Sequence, residues 1–301
     1  MANSISLAQQ FVPLLDEKYQ MESLTSDLDG AADLARQGAN ANELIIPIMT
    51  MQGLGDYSRN SGYVDGDVTL TNETVTCNFD RGRRFTVDTM DNVETAGIAF
   101  GQLAGEFIRT KVVPELDAFR FSQYASAEGI STTTGATLST GDAVIKALRA
   151  ATTKMDEDEV PMENRYLYIT PTLHGLIQDM DTTKSREVLS RFAKVVDVPQ
   201  TRFYTAITQK NGKVTVTGET GKETTDDQSA GGYVKADSAK EINFMVIQKS
   251  AVIQFQKHVA PKIISPEQNQ DADAYKFGYR NVGIAKTYKN KAAGIYLHTK
   301  A

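Results

Sequence analysis

The hydrophobic positions change period several times along the chain, and the first forty residues have a helical pattern. Apolar residues recur there at spacings of three and four, which predicts an amphipathic helical segment: Leu7, Phe11, Leu14, Leu15 and Tyr19. Pro13 interrupts its backbone hydrogen bonding. Because the apolar positions are sparse and the other residues acidic, we expect an arm that packs on another surface.

Between residues 44 and 90 the pattern changes to the period of two that is typical of strands. Leu44 to Met49 is nearly all apolar and precedes Gly53 and Gly55, which predicts a strand and then a turn. Alternating apolar residues on both sides of Asp80 to Gly82 predict a hairpin: Val68, Leu70, Val75, Cys77, Phe79, Phe85 and Val87. An isolated two-stranded ribbon is marginally stable in water, so we expect it to lie on another surface.

The strongest helical pattern begins at Asp91. Asp91 and Glu94 fit a capping box, and apolar residues then recur at three and four: Val93, Ala96, Phe100, Leu103 and Phe107. Pro114 is expected to kink the helix or to begin a second one, and Gly129 to end it. If continuous from 91 to 128, the helix would be about 57 Å long at 1.5 Å per residue, which exceeds the width of a compact domain.

Beyond residue 140 the predicted helices and strands alternate. The pattern predicts a helix at 142–155, a buried strand at 166–170 and a short helix from Pro171 to Ile177. Four more strands are predicted at 242–246, 251–255, 279–286 and 293–297.

Apolar residues almost vanish between Thr208 and Lys240. Asn211 and Gly212 predict a type I′ hairpin there, and residues 226–232 a flexible tip. We therefore expect this segment to be a surface excursion.

Composition places the chain among globular proteins. Of its 301 residues, 41% are hydrophobic and 23% charged, outside the range of disordered chains. No apolar run approaches the roughly 18 residues of a membrane span, and the N-terminus lacks the pattern of a secretory signal, so we expect no membrane partner. The single cysteine, Cys77, cannot form an internal disulfide.

The net charge of -6 is unevenly distributed. Residues 276–301 carry six basic residues and no acidic one. Lys286, Lys289 and Lys291 alternate with apolar and small residues, as on a solvated strand face. We interpret the basic end as such a face, balanced by acidic neighbours, with a nucleic-acid site as the alternative.

Motifs for catalysis and cofactor binding are missing from the sequence. It has no Gly-x-Ser-x-Gly elbow, and the phosphate-loop and dinucleotide patterns both fail at required glycines. The three histidines are scattered: His174, His258 and His298. We therefore predict a non-enzymatic protein with no catalytic residue, no cofactor and no metal.

Three arginines and two phenylalanines surround the predicted hairpin turn and are our candidates for contacts with another subunit. Arg81, Arg83 and Arg84 are expected to pair with carboxylates of a neighbour, because guanidinium groups bind carboxylates bidentately. Phe79 and Phe85 flank them. Phosphate binding by the arginines is the alternative.

The order of these elements resembles the major capsid proteins of tailed bacteriophages, which have the Hong Kong 97-like fold. Residues 109–125 (RTKVVPELDAFRFSQYA) look like the spine helix of such proteins from phages of Gram-positive hosts. Residues 166–171 with the following helix resemble the first axial-domain strand, and 242–297 the C-terminal strand series. The resemblance covers nearly the whole chain and rests on order and spacing.

The resemblance implies an α+β fold with five parts. They are an N-terminal arm (1–43), an extended loop with flanking strands (44–90), the spine helix with the first part of the peripheral domain (91–135), an axial domain (136–254), and the peripheral return with the C-terminal strands (255–301).

The resemblance also implies the function of a major capsid protein. Copies would form hexamers and pentamers that close into an icosahedral shell around double-stranded DNA, bound without sequence specificity. The shell would belong to the virion and be assembled in the cytoplasm of the bacterial host, with separate scaffolding, portal and decoration proteins as further partners.

The chain departs from the family pattern in two respects. Many relatives carry a cleavable N-terminal scaffold, which is absent here. Some join subunits by an isopeptide bond from a lysine of the extended loop, whereas this chain has no lysine between Lys18 and Lys111. The alternatives are an encapsulin-type nanocompartment shell, a tail-tube or adhesion protein, which the long helix disfavours, and an enzyme.

Overall fold

The structure is a computed structural model that describes residues 23–30, 36–37, 43–60, 62–90, 98–180, 182–217 and 224–301. Most of the predicted N-terminal arm and the predicted cap at Asp91 lie outside these residues. The α-helices of the described ranges are α1 Ile98–Phe107, α2 Val113–Ala125, α3 Gly141–Glu157, α4 Pro171–Met180 and α5 Thr183–Leu189. Short 3-10 turns lie at Ser26–Leu28, Gln200–Arg202, Lys249–Ala251, Pro266–Gln268 and Lys289–Gly294.

The strands of the described ranges form several sheets. The first seven are β1 Arg36–Gln37, β2 Glu43–Met51, β3 Val68–Thr76, β4 Phe79–Asp88, β5 Ser131–Thr133, β6 Arg165–Ile169 and β7 Lys194–Asp197. The others are β8 Ile207–Gln209, β9 Val214–Thr217, β10 Thr224–Asp227, β11 Tyr233–Lys235, β12 Ile242–Gln248, β13 Val252–Ile264, β14 Ala274–Thr287 and β15 Ile295–Thr299. Two sheets carry the core: the β12 sheet, with the order β5-β15-β12-β6-β7, and the β14 sheet, with the order β13-β14-β4.

The β12 sheet is covered on both faces, which explains why apolar residues occupy both faces of its central strand. All seven residues of β12 are buried, and five of them are apolar, Asn243 and Gln248 being the polar ones. Phe244 and Val246 pack with helices α3, α4 and α5, whereas Met245 and Ile247 belong to the cluster that contains α2. A strand buried on both faces takes apolar side chains on both of them, rather than at every second position only.

Helices α1 and α2 form one continuous helix from Ile98 to Ala125, here called the long helix. Its residues Ile108–Val112 are wound as a π-helix, and the backbone angles at Phe107 and Val113 on either side stay helical. The π segment comes directly before Pro114, whose ring and missing N–H disturb a regular ladder. A kink or a second helix was expected at Pro114; the described residues form one continuous helix with the π segment just before this proline, about 42 Å long at 1.5 Å per residue.

Many of the predicted elements are confirmed. The helices at 142–155 and after Pro171 are α3 and α4, the strand at 166–170 is β6, and the four later strands are β12 to β15. Gly129, predicted to end the long helix, follows its last turn with φ +84°, a conformation that favours glycine. Helix α5 and strand β7 were not anticipated.

The predicted hairpin with a turn at Asp80 to Gly82 is wrong. Strand β3 pairs with β2, whereas β4 pairs with β14 and contains these residues in its interior, with Gly82 opposite Arg280. A Cβ atom on Gly82 would lie 2.7 Å from the carbonyl oxygen of Tyr279. The glycine therefore permits close strand pairing rather than a turn.

The hairpin predicted at Asn211 and Gly212 is also wrong. Strand β8 pairs with β11, and β9 pairs with β10, so residues 207–217 and 224–235 form the two arms of one longer hairpin, here called the clamp hairpin. Asn211 and Gly212 lie between its two ladders, where Gly212 has φ +76°. Residues 226–232 belong to β10 and the turn after it, not to the tip that the sequence predicted.

Residues 23–30 are joined to the long helix by a buried polar network. The fully buried carboxylate of Asp117 accepts hydrogen bonds from the hydroxyls of Ser23 and Thr25, both at 2.9 Å. It also accepts bonds from the backbone N–H of Leu24 at 3.2 Å and from Arg202 at 3.3 Å. Because every donor comes from another part of the chain, Asp117 fixes where residues 23–25 lie.

A second set of bonds ties the same segment to β13. The amide nitrogen of Gln254 donates to the carbonyl oxygen of Thr25 at 2.6 Å and to Asp29 at 2.7 Å. Its amide oxygen accepts a bond from the hydroxyl of Tyr124 at 2.7 Å, and Leu28 enters the core beside it. The segment thus belongs to the core of the described fold.

Replacing Gly82 by alanine is expected to destabilise the β14 sheet. The new methyl group would press on the backbone of β14, and we expect Gly82→Ala to lower the free energy of unfolding by about 1–3 kcal/mol. Gly53→Ala is the matched control, since its Cβ meets nothing within 4 Å, and its effect should stay within about 0.5 kcal/mol. Urea unfolding of both variants checks this, and equal stability would contradict it.

Removing the charge of Asp117 is expected to weaken the anchoring of residues 23–30. Asp117→Asn removes the negative charge and replaces one of the two acceptor oxygens by an NH2 group that would face other donors in a buried site. The free energy of unfolding should therefore fall by about 2–4 kcal/mol. Asp142→Asn, on the exposed face of α3, serves as control, because its pair with Lys146 is exposed and worth at most about 0.5 kcal/mol. A loss no larger than that of the control would show that the network does not hold the segment.

Candidate interaction surface

The most exposed apolar surface of the described structure is a ribbon formed by β2 and β3, with the two residues of β1 paired to β2 near its root. Nine residue pairs join the strands, from Glu43 opposite Thr76 at the root to Met51 opposite Val68. Residues 52–67 between them are here called the ribbon tip. Large apolar side chains are exposed along the ribbon and at its tip: Met49, Met51, Leu54, Tyr57, Tyr63, Val64, Val68 and Leu70. Contiguous apolar surface of this kind marks an interaction site.

The burial pattern of β3 indicates that this strand of the ribbon contacts the rest of the chain near its root. In β3, Val75 is buried and Glu73 half-buried, whereas residues 68–72 are all exposed. Val75 packs on Ile284 of β14, and the Glu73 carboxylate lies 2.8 Å from Nζ of Lys286 and 3.6 Å from that of Lys289. Nine residues at about 3.3 Å each carry the far end of the strands roughly 30 Å from this root.

The ribbon tip has its own local structure. The rings of Tyr57 and Tyr63 contact each other with their centroids 4.9 Å apart. Ser58 and Gly62 exchange backbone hydrogen bonds between them, and Gly62 has φ +77°. Leu54 is fully exposed beside this aromatic pair. The tip therefore presents a preformed apolar contact rather than a loose loop.

The two phenylalanines predicted to contact a neighbour are packed within the chain. Phe79 is only 4% exposed and its ring lies 5.0 Å from that of Phe119, so it has almost no surface to offer another subunit. Phe85 is half-buried, with its ring 4.8 Å from that of Phe107. Both belong to the contact between the β14 sheet and the long helix, because β4 is a sheet strand and not a ribbon strand.

The predicted arginines mainly hold the clamp hairpin. Arg81 pairs with Glu115 of the long helix at 2.8 Å and donates to the carbonyl oxygen of Lys210 at 2.7 Å. Arg83 donates to the carbonyl oxygens of Ser229 at 2.9 Å and Ala230 at 3.3 Å. The carboxylate partner of Arg81 is thus in its own chain.

Arg84 differs from the other two arginines. It is exposed, and its positive charge contributes to the lowered pKa of Asp271, after the larger effect of the hydrogen bond from Lys276. A contact between Arg84 and a neighbouring subunit stays a prediction.

Glu115 is the one carboxylate of this cluster, and the sequence did not single it out. Burial raises its pKa, and the adjacent guanidinium of Arg81 opposes that shift. No local motif joins Glu115 to Arg81, which is 34 positions away.

A groove of about 1430 Å³ lies where β4, the long helix and the clamp hairpin meet. Its lining includes the aromatic or aliphatic side chains of Phe85, Leu103, Phe107, Tyr204 and Tyr279. Lysines of the helix and the hairpin also line it: Lys111, Lys210 and Lys235. Arg81, Arg83, Glu106 and Glu115 line it as well, so the groove has an apolar interior and charged groups that are mostly basic.

Most basic residues of 276–301 are balanced by carboxylates of the same chain. Five of the six form ion pairs within the described residues, as in Arg280 with Asp80 and Lys300 with Glu241, whereas Lys291 lies over the ring of Tyr288. The expected acidic neighbours are therefore present, but the expected solvated strand face is wrong, because β14 and β15 are mostly buried.

The histidines have ordinary structural surroundings. His174 lies 2.7 Å from Asp197, and His298 is buried beside Asn243 and Phe244, where burial lowers its pKa. Among the described residues, no group of three or more His, Cys, Asp or Glu side chains is placed to hold a metal ion. Within the same ranges, no helix combines the length and apolarity needed to cross a membrane.

Comparisons with known proteins place the fold. No protein-family model and no curated protein matches the chain. Among solved structures, it is similar to a virus-like particle from Pyrococcus furiosus, with a TM-score of 0.58 and 11% identity over 97% of this chain and 99% of that one.

Phage capsid structures match the chain with similar TM-scores and similar sequence identities. The capsid of cyanophage P-SCSP1u matches with a TM-score of 0.55 and 13% identity over 88% of this chain and 85% of that one. The mature capsid of bacteriophage PhiM1 matches with a TM-score of 0.54 and 11% identity over 86% and 82%. The chain thus has the mixed α+β fold of these shell-forming structures, and the predicted resemblance to phage capsid proteins is confirmed at the level of fold.

The ion pair at the ribbon root is expected to make stability depend on pH. The hydrogen bond from Lys286 lowers the pKa of Glu73 below its usual 4.5, so the folded chain binds fewer protons at this site than the unfolded chain. The stabilisation is therefore present above about pH 4.5 and lost as the pH falls through the lowered pKa.

We expect Glu73→Gln to lower the free energy of unfolding by about 0.5 kcal/mol at pH 7 and to have a smaller effect at pH 3, because protonation removes the charge of Glu73 as the pH falls. Urea titrations at both pH values measure the difference. Glu187→Gln, an exposed glutamate of α5, is the control and should show no such pH-dependent gap. A gap of equal size at both pH values would contradict the assignment.

Proposed function

We propose that the chain is a major capsid protein of a tailed phage, with a Hong Kong 97-like fold, and that its copies assemble into a closed shell. The observation that carries this proposal is the apolar ribbon, which extends away from a chain whose fold is that of capsid structures. The role is structural, with no catalytic residue, cofactor or metal assigned.

The parts of the family fold map onto the described elements with one revision of the predicted boundaries. The ribbon (43–76) is the extended loop, and the long helix is the spine helix. The β14 sheet, including β4, represents the peripheral domain, and the β12 sheet with α3 to α5 the axial domain. The predicted extended loop of 44–90 is thus shortened, because β4 pairs with β14.

Burial of the ribbon supplies the driving force for assembly in this proposal. Each large apolar side chain that is removed from water contributes about 1.5–3 kcal/mol, and the ribbon offers several. The contact is heterologous, because the ribbon of one copy covers a different surface on the next. Such contacts generate rings when the rotation closes, in line with the proposed hexamers and pentamers.

The further elements of the proposal rest on family likeness alone. They are an icosahedral shell around double-stranded DNA, held without sequence specificity, location in the virion after assembly in the host cytoplasm, and separate scaffolding, portal and decoration proteins. The arm (1–43) would pack beneath a neighbour, anchored through residues 23–30.

A nanocompartment shell of the encapsulin type is the second candidate. The observation in its favour is the match to the Pyrococcus furiosus virus-like particle, which extends over nearly the full length of both chains. Cargo separates the two functions: particles of a capsid protein package DNA in the presence of the phage machinery, whereas a nanocompartment encloses protein.

Assembly of the purified chain tests the proposed function. We expect the wild type to form closed shells in negative-stain micrographs, alone or with a scaffolding protein. The variant Leu54→Ser/Tyr57→Ser/Tyr63→Ser should remain as folded, unassembled subunits, since it removes the apolar contact of the tip and no core residue. Met162→Ser is the control, because Met162 is also an exposed large apolar residue but lies far from the ribbon in sequence, and it should assemble normally.

Two results would contradict the proposal. One is a wild-type chain that stays monomeric under all assembly conditions. The other is normal assembly of the triple serine variant.

A further inference from the structure

The groove between β4, the long helix and the clamp hairpin is larger than a small-molecule site. Its volume of about 1430 Å³ exceeds the roughly 300–1,000 Å³ of typical ligand pockets. Along the long helix the lining runs from Leu103 to Glu115, which is about 18 Å at 1.5 Å per residue. The groove therefore has the dimensions to hold a segment of polypeptide.

Basic side chains predominate among the charged groups of the lining. Five basic residues stand against two acidic ones: Arg81, Arg83, Lys111, Lys210 and Lys235, with Glu106 and Glu115. The carboxylate of Glu115 is already paired with Arg81 at 2.8 Å. That of Glu106 is paired with Arg109 at 2.6 Å. An occupant with apolar side chains and a negative net charge therefore suits the groove best.

Ser23, the first residue that the structure describes, lies at the edge of this groove. The hydroxyl of Ser23 donates to Asp117 at 2.9 Å, and Arg202 donates to the same carboxylate at 3.3 Å. Thr201, next to Arg202, lines the groove, and its carbonyl oxygen accepts a hydrogen bond at 2.9 Å from the hydroxyl of Tyr233, which also lines it. The chain that precedes Ser23 is thus tethered beside the groove.

Residues 1–22 have the composition that the groove requires. They contain three acidic residues and one basic residue: Asp16, Glu17, Glu22 and Lys18. Their apolar positions recur at helical spacings between Leu7 and Tyr19, a stretch of about 18 Å in helical form. This stretch therefore matches the length of the groove along the long helix.

The short connection to Ser23 favours the groove of the same chain over that of a second copy. Only residues 20–22 separate Tyr19 from Ser23, which is held by its bond to Asp117. A short tether gives the attached segment an effective concentration of the order of millimolar. At micromolar concentrations of the subunit, the contact within one chain is therefore the favoured one.

We propose that, in the unassembled subunit, residues 7–19 dock in the groove of their own chain. The apolar residues of the segment contact the lining at Leu103 and Phe107, as an amphipathic helix does in an apolar groove. Its acidic residues lie toward Ser23 and face the lysines of the clamp hairpin. In the proposed shell the arm packs beneath a neighbour, so the groove holds this part of the arm until assembly.

Photo-crosslinking of the full chain identifies the occupant of the groove. The chain carries benzoylphenylalanine in place of Phe11 and is diluted until sedimentation velocity shows monomers. We expect adducts within one chain, at residues 103–115 and 230–235, with a yield that does not depend on protein concentration. Adducts on other surfaces, or adducts between copies whose yield rises with concentration, would overturn the proposal.

Hydrogen exchange measures whether the segment covers the groove. In the variant Phe11→Ser/Leu14→Ser/Leu15→Ser, we expect the backbone amides of 103–112 and 230–235 to exchange at least about fivefold faster than in the wild type, because the apolar contact is lost. The control Gln9→Ser/Gln20→Ser changes polar residues of the same segment and should leave these rates unchanged. Equal rates in the triple variant and the wild type would show that the segment does not cover the groove.

Charge reversal on each side tests the predicted orientation. A segment variant, Asp16→Lys/Glu17→Lys, and a groove variant, Lys210→Glu/Lys235→Glu, should each lower the yield of the Phe11 adduct at least about threefold, because like charges then face each other. The chain with all four substitutions should regain most of the wild-type yield. The control Glu157→Lys/Glu187→Lys makes the same change in net charge as the segment variant on α3 and α5 and should keep the wild-type yield. A fourfold variant no better than the weaker of its parents would contradict the docked orientation.

These results are independent of the shell function, because the contact forms within one monomeric chain. Loss of the expected adducts from a chain that still assembles refutes the docked segment and leaves the proposed function standing. Adducts in a chain that never assembles refute the function and leave the docked segment standing.

Discussion

Phe119 and Phe121 are two positions apart on the long helix, so their rings point to nearly opposite sides. One meets Phe79 of the β14 sheet and the other meets Tyr168 of the β12 sheet. The helix is buried between two sheets, and all but a few residues of its second half are inaccessible. Polar groups there need internal partners, and Asp117 and Arg120 obtain them from residues 23–30. Both sheets and the N-terminal segment are thus positioned by the burial of one helix.

The ribbon differs from the long helix, because many of its apolar side chains are exposed. The apolar side chains toward its far end are exposed, as at Met51, Leu54 and Val68, and in β3 the burial of Val75 and the pair of Glu73 with Lys286 lie near the root. The two sheets and the long helix therefore supply most of the burial that stabilises the chain, and the far half of the ribbon contributes little to it.

Local patterns in the sequence predicted the helices and strands that have one continuous buried face. The helical period gave α3, α4 and much of the long helix, and the apolar run gave β12, because each is dictated by a continuous buried face. The two wrong hairpin predictions were both made at glycines. Gly82 and Gly212 occur in sequences typical of turns, yet one allows close strand pairing and the other lies between two ladders. Strand partners and the Arg81–Glu115 pair depend on residues distant in sequence, which no local pattern contains.

The contacts of Arg81 and Arg83 with the clamp hairpin depend on its main chain rather than on its side chains. Both guanidinium groups bind main-chain carbonyl oxygens, which every residue type provides. Replacing the side chains of Lys210, Ser229 or Ala230 therefore leaves these acceptors in place. What the attachment requires is the course of the backbone, and that course includes positive φ angles at Gly212, Gly231 and Gly232.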